Sequence, residues 1–325
     1  MSGDAAQTIL TAAARRSRRS AAVGFLVRLA REKPLGLVGG IVVLILLLLG
    51  IFADVLAPYG YNDINLKQRF VAPSAEYPLG TDNLGRDELS RIIYGARISV
   101  IVGLGASAIS TGIAAVIGLV SGFLGGKFDI IVQRLVDAWL AFPALILLLT
   151  GMALIGPGIT QITLVLGIAV GIGGSRVIRS GVMALRQNVY IDAARSIGAS
   201  TPRILLRHLL PNVTPLLIVF FTVGIAGMII GEASLSFLGF GVPPPQPSWG
   251  GMLSAEGRAF MYQAPWLALW PGLALTIVVY GVNVFGDAVR DLVDPRLRGG
   301  SGRYSKIDAK KLRAQMEKRG RAVES

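Results

Sequence analysis

Long apolar runs alternate with short polar segments along the chain. Six runs, approximately Leu35–Ala57, Ile98–Gly122, Ile130–Ala153, Ile159–Gly181, Val213–Gly239 and Trp266–Asp287, stand out. Each is long enough to cross a bilayer as a helix, which takes ~20 residues. In lipid every backbone N–H and C=O must be satisfied within its own segment, so each run predicts a helix. The pattern predicts an all-α integral membrane protein with six transmembrane helices. It divides the chain into a basic segment 1–34, a first span with a polar loop 35–97, a core 98–290 and a basic tail 291–325.

Charge orients the spans. Arg15, Arg16, Arg18, Arg19, Arg28, Arg31 and Lys33 precede the first run, which is too long for the apolar part of a cleaved signal. Positive charge is retained on the inner side of a membrane. The N-terminus is therefore expected inside, and alternation puts 58–97, 154–158 and 240–265 outside. It puts 123–129, 182–212 and the tail inside, so both termini are cytoplasmic. Of 32 Lys and Arg, 26 are assigned to the inner side and 6 to the outer. The basic tail suits the surface of an anionic lipid leaflet.

Composition then removes alternatives. Hydrophobic residues are 53% and charged residues 16%, well below the ~25% charged residues of soluble domains. The net charge of +13 has the placement of a membrane protein and comes with no nucleic-acid-binding motif, so nucleic acid is not an expected partner. The chain has no Cys and a single His, His208, and no metal site is expected within it. A phosphate-cradling Gly-x-x-x-x-Gly-Lys-Ser/Thr loop is missing: Gly125-Gly126-Lys127 is followed by Phe128 and preceded by Ser121 where the first Gly belongs. No catalytic residue and no cofactor are expected in this chain.

Small residues four apart, at Gly118/Gly122, Gly167/Gly171 and Gly227/Gly231, permit close helix packing. Asp137 and Glu232 fall within the third and fifth spans, where a buried acid costs at least ~2.5 kcal/mol. They read either as a polar lining of a translocation path or as structural pairs, for example Asp137 with Arg134. Isolated acids of this kind also leave a proton-coupled carrier as a rival reading.

The inner loop 182–212 carries two short helices by local signals. Asn188 is a candidate cap for a helix through Asp192 to Ile197, and Gly198 suits a left-handed helix end. Thr201-Pro202 reads as the cap and first residue of a second helix, through Arg203 and Arg207 to about Leu210, before Pro211. On these signals alone the loop is an ordinary polar connection, and a non-transporting scaffold would use it only for binding. Outside, Gly80, Thr81, Asp82, Gly85, Arg86 and Asp87 read as a self-satisfied turn at the start of the second span, with contact to another protein as the alternative. Pro243–Pro247 stiffen the last outer loop, and Trp249 and Trp266 suit the membrane interface.

Asp192-Ala-Ala-Arg-Ser-Ile-Gly198, followed by Leu210-Pro211, resembles the coupling motif of ABC importer permeases. Tyr77–Asp87, Glu232–Gly239 and Pro243–Gly250 resemble the dipeptide/oligopeptide/nickel branch, and the second of its two permease types. The likeness spans about residues 35 to 298. It implies a type I ABC importer permease in a bacterial cell membrane. It further implies a second permease subunit, two cytoplasmic ATPase subunits that hold ATP and Mg, an external binding protein, and a peptide as substrate, with nickel chelates as the alternative. The resemblance assigns coupling to Asp192, Ala193, Ala194, Gly198, Ala199 and Arg203. Asp192 stands where the general motif most often has Glu. His208 stands at an aliphatic position of that motif and is read as structural.

Overall fold

The computed structural model describes residue 24 and residues 27–293. The chain divides into two compact units, 34–287 and the pair of segments 1–33 and 288–325. Most of the basic segments 1–34 and 291–325 lies outside the described residues. In the smaller unit Arg28 pairs with Glu32 at 3.3 Å, and Lys33 with Asp291 at 2.5 Å.

In the larger unit α1 (Pro34–Ile51) and α2 (Ala53–Leu56) lead to an outer segment and then to α3 (Glu88–Leu124). Helices α4 (Gly126–Leu140), α5 (Ala144–Ile155) and α6 (Ile159–Arg186) follow. Loop 182–212 forms α7 (Val189–Ser196) and α8 (Thr201–Ile204). Helix α9 (Leu210–Phe237), α10 (Trp249–Met252), α11 (Arg258–Phe260) and α12 (Trp266–Val293) complete the order, the last of these running on into the smaller unit. Among the described residues five helical stretches are long and apolar enough to span a membrane, or six if the bent pair α4–α5 counts as one.

The six-run pattern is thus present with three changes. The third run, expected as one span, is bent by 87° between α4 and α5. Pro143, with no N–H to donate, sits at the break. The second helix starts at Glu88, ten residues before its apolar run, and is 37 residues long, about 55 Å. The second short helix of loop 182–212, expected to stop before Pro211, does not: helix continues from Thr201 through a π turn at Leu205–Leu209 into the fifth span and on to Phe237. Pro211 follows directly on that π turn, where the i→i−4 ladder is already interrupted and the Leu210 N–H donates to Leu205 O.

Helices α3 and α6 form the centre. A Cβ on Gly118 would lie 2.7 Å from Ile178 Cβ, and one on Gly167 would lie 2.7 Å from Ile109 Cβ. Cβ atoms on Gly122 and Gly171 would lie 3.0 Å from Val182 Cβ and 2.9 Å from Ser110 Cα, so these two small-residue pairs set the backbone approach. Gly227 differs, having open space around it. Buried Ile98, Val102, Ile162, Leu166, Met228 and Leu235 fill one core among α3, α6 and α9. The opposite faces of the spans are apolar and exposed, as at Leu35, Ile45, Val116 and Leu154, which is how a protein solvated by hydrocarbon is built.

Candidate functional site: an inner docking helix and membrane-depth charges

Helix α7 is held on its own chain by two residues. Ile191 and Ala194 are buried among Phe123, Ile178, Val182, Ile204 and Leu209. Arg195 adds a guanidinium 5.0 Å from the centre of the Phe123 ring. The side chain of Asn188 does not cap the helix; its Nδ2 donates instead to the Leu185 carbonyl at 2.9 Å. Gly198 has φ 76° and open space around it, so backbone conformation alone requires glycine there. Its N–H donates to Arg195 O, and the Ala199 N–H to Ala194 O, which closes the helix end.

This packing sorts the expected coupling residues. Ala194, expected on the docking surface, faces inward at 5% exposure. Asp192, Ala193 and Gly198 are exposed, Ala199 is half-buried, and Arg203 is exposed one turn further on in α8. Beside Ala193 the outward stripe contains two residues that sequence reading passed over, Val189 at 83% and Ile197 at 85% exposure. Their i, i+4, i+8 spacing was the available signal. The second helix has Ser200 at its N-cap position, one residue earlier than expected, with no side-chain hydrogen bond to the helix end.

The outer segment is built the other way. Thr81, Asp82, Arg86 and Asp87 are all buried. Asp82 Oδ1 accepts from the N–H groups of Leu84 and Arg86 at 2.8 and 3.0 Å, and its Oδ2 accepts from Arg86 Nε at 2.6 Å. Arg86 Nη2 continues to Glu256 at 2.6 Å, and Arg91 Nη2 reaches the same carboxylate at 3.2 Å. Asp87 Oδ2 accepts from the N–H and hydroxyl of Ser90 and so caps α3. Gly80 and Gly85 have φ 85° and 74°, and a Cβ on Gly80 would collide with Trp266 Nε1. Trp249 and Trp266, expected at the membrane interface, donate inward to Ile92 O and Thr81 O, both at 3.1 Å. Tyr77 stacks on Tyr59 at 5.5 Å; burial raises its phenol above the ordinary value, and Glu76 and Tyr59 add to the shift.

At membrane depth Glu232 is buried and accepts from Ser236 Oγ at 2.6 Å. That hydroxyl in turn accepts from the Val242 N–H at 3.2 Å, joining the end of α9 to the outer loop. Asp137 pairs with Arg134 at 3.4 Å, as its sequence neighbourhood suggested, and also with Arg176 of α6. Arg179 and Asp129 form a second α6–α4 pair at 2.5 Å. Arg134, Arg176 and Arg179 were counted with the inner basic residues; they lie within the helices instead. Among the described residues no group of three or more His, Cys, Asp and Glu is placed to hold a metal ion.

A bundle of apolar helices around a glycine-packed pair, with a short amphipathic helix in loop 182–212, defines a multi-pass membrane protein. The profile described as "binding-protein-dependent transport system inner membrane component" matches residues 114–299. A second profile, the N-terminal transmembrane domain of oligopeptide transport permease C, matches residues 25–73. A Brucella suis protein named as a peptide transport system permease is 40% identical over 259 residues, covering 78% of this chain and 87% of that protein. The dipeptide transport system permease protein DppC of Alkalihalophilus pseudofirmus is 38% identical over 269 residues, 82% and 88% of the two chains. The glutathione transport system permease protein GsiD of Escherichia coli is 38% identical over 275 residues, 83% and 89%. Among solved structures, a chain of the MetNI methionine ABC transporter in inward-facing conformations aligns with TM-score 0.51 and 18% identity, over 63% of this chain and 96% of that one. The chain belongs to the family of binding-protein-dependent transport system inner membrane components, and is a multi-pass permease component of the bacterial inner membrane with the ABC importer permease fold.

Proposed function

We propose that this chain is the second permease subunit of a peptide importer, working beside a related permease, two cytoplasmic ATPases and an external binding protein. The observation that carries this reading is the α7 stripe of Val189, Ala193 and Ile197, exposed on the one loop that resembles the coupling motif. Substrate class follows from the peptide, dipeptide and glutathione permeases it resembles at 38–40% identity. The chain supplies no catalytic residue and no cofactor; ATP and Mg belong to the ATPases. Closure of the ATPases moves α7 and, through Ile191, Ala194 and the Arg195–Phe123 contact, the central α3–α6 pair. Glu232 holds the outer end of α9 and does not contact substrate. Both termini and loop 182–212 face the cytoplasm, and the 240–265 loop faces outward.

The test is uptake of labelled peptides by cells carrying the intact importer, with and without each subunit. Uptake is expected to need every subunit and to survive an uncoupler while ATP is maintained. Uptake without the ATPases would identify a proton-driven carrier.

A further inference from the structure

Two ion pairs join α4 to α6, and they differ. Asp129 and Arg179 are closed one-to-one, with two hydrogen bonds at 2.6 and 2.5 Å and side chains 12% and 25% exposed. Asp137 instead faces two guanidinium groups. It and Arg176 are each 43% exposed, and Arg134, at the longer distance of 3.4 Å, is 80% exposed. The cluster therefore carries one uncompensated positive charge on an open surface.

Its depth matters. Arg176 lies within the fourth apolar run, five residues before its end at Gly181, about 8 Å along the axis. Half-exposed ions at that depth face water or protein rather than lipid tails. Arg176 also lies on the helix face of Val165 and Ile168, eleven and eight residues further along α6. Those two residues, with Trp139, Phe142, Ile146 and Leu154, line an apolar groove of about 480 Å3 in the bend between α4 and α5. The groove has the size of a small-molecule site, and such sites are mostly apolar with a few fixed polar groups.

Resting on the reading of this chain as a peptide permease, we propose that Arg134 and Arg176 take the carboxylate of the passing peptide, while the groove beside them takes an apolar side chain. A guanidinium pairs a carboxylate through two parallel hydrogen bonds, and Asp137 occupies that position when substrate is absent. The incoming carboxylate then replaces Asp137 on one guanidinium while Asp137 keeps the other.

The complete importer in vesicles, with its binding protein, is given a mixture of apolar di- to pentapeptides as free acids or as C-terminal amides. Internal peptide is measured by mass spectrometry, in vesicles with and without anionic lipid. Arg176→Gln is expected to lower import of acids about tenfold, and Arg134→Gln severalfold, with amides changed less than about twofold in both. Asp137→Asn, which removes the competing carboxylate, is expected to keep or raise acid import. Parallel loss of acids and amides in both Arg variants would show a structural pin and overturn the proposal. So would unchanged acid import, or an Arg134→Gln effect confined to anionic vesicles, which would assign that guanidinium to lipid headgroups. A wild-type complex that imports neither acids nor amides would overturn the peptide reading itself.

Discussion

Loop 182–212, proposed as the inner loop, and segment 77–91, proposed as the outer one, are both short, polar and rich in Gly, Asp and Arg, yet they use those residues in opposite ways. Outside, Asp82, Arg86, Arg91 and Glu256 turn inward and bond to one another across 170 residues of sequence. Inside, Asp192 and Arg195 lie on the surface in a loose 3.4 Å pair, and the residues beside them are apolar and exposed. Buried ions must satisfy each other because water is not there to do so. Exposed ions and an exposed aliphatic stripe are left for something else to meet. Segment 77–91 turns its charged side chains onto this chain, whereas helix α7 is covered only on the side that Ile191 and Ala194 bury.

The sharpest way to break this contrast is to remove a member of the outer network. Glu256→Leu leaves buried Arg86 and Arg91 to share Asp82 alone, and losing one side of a buried pair costs ~3–5 kcal/mol. The variant is expected to lose most of its folded yield in detergent and to unfold at much lower temperature. Wild-type thermal stability would contradict the inward role of the network.

Next come two neighbouring alanines. Ala194→Trp overfills the cluster around Ile191 and Leu209, at ~1–3 kcal/mol or more, and is expected to lower the unfolding temperature. Ala193→Trp projects into open space, so stability should hold while copurification with the ATPase subunits and peptide uptake fall. Equal stability loss in the two variants, by differential scanning fluorimetry, would erase the inner–outer distinction within α7.

Glu232 tests the same logic at membrane depth. Glu232→Gln keeps an acceptor for Ser236 and is expected to assemble and transport nearly normally. Glu232→Leu leaves its partners unsatisfied at ~1–3 kcal/mol and is expected to assemble poorly. A Gln variant that assembles but prefers different peptides would move the residue into the path.

The smallest effect is expected at Asp192. Its pair with Arg195 is exposed, and Asp192→Asn should shift stability by no more than ~0.5 kcal/mol in chemical denaturation, with any larger loss confined to ATPase docking. A large stability loss would show that this charge, like Asp82, works inward.

The sequence alone determined the number and order of the apolar runs, the basic inner loop and the left-handed end of α7 at Gly198. These follow from local rules: a bilayer sets run length, and only glycine adopts that backbone angle freely. The close α3–α6 approach was legible in Gly118/Gly122 and Gly167/Gly171, although Gly227 shows that spacing does not fix which glycine is used. Tertiary structure decided which side of each short helix faces inward, and so exchanged Ala194 for Val189 and Ile197 on the surface of α7. It bent the third run between α4 and α5, carried helix past Pro211, and brought Glu256 to Arg86 and Arg176 to Asp137. Those outcomes depend on what residues far apart in sequence bury against one another, and a pattern read along the chain holds only the periodicity of each segment.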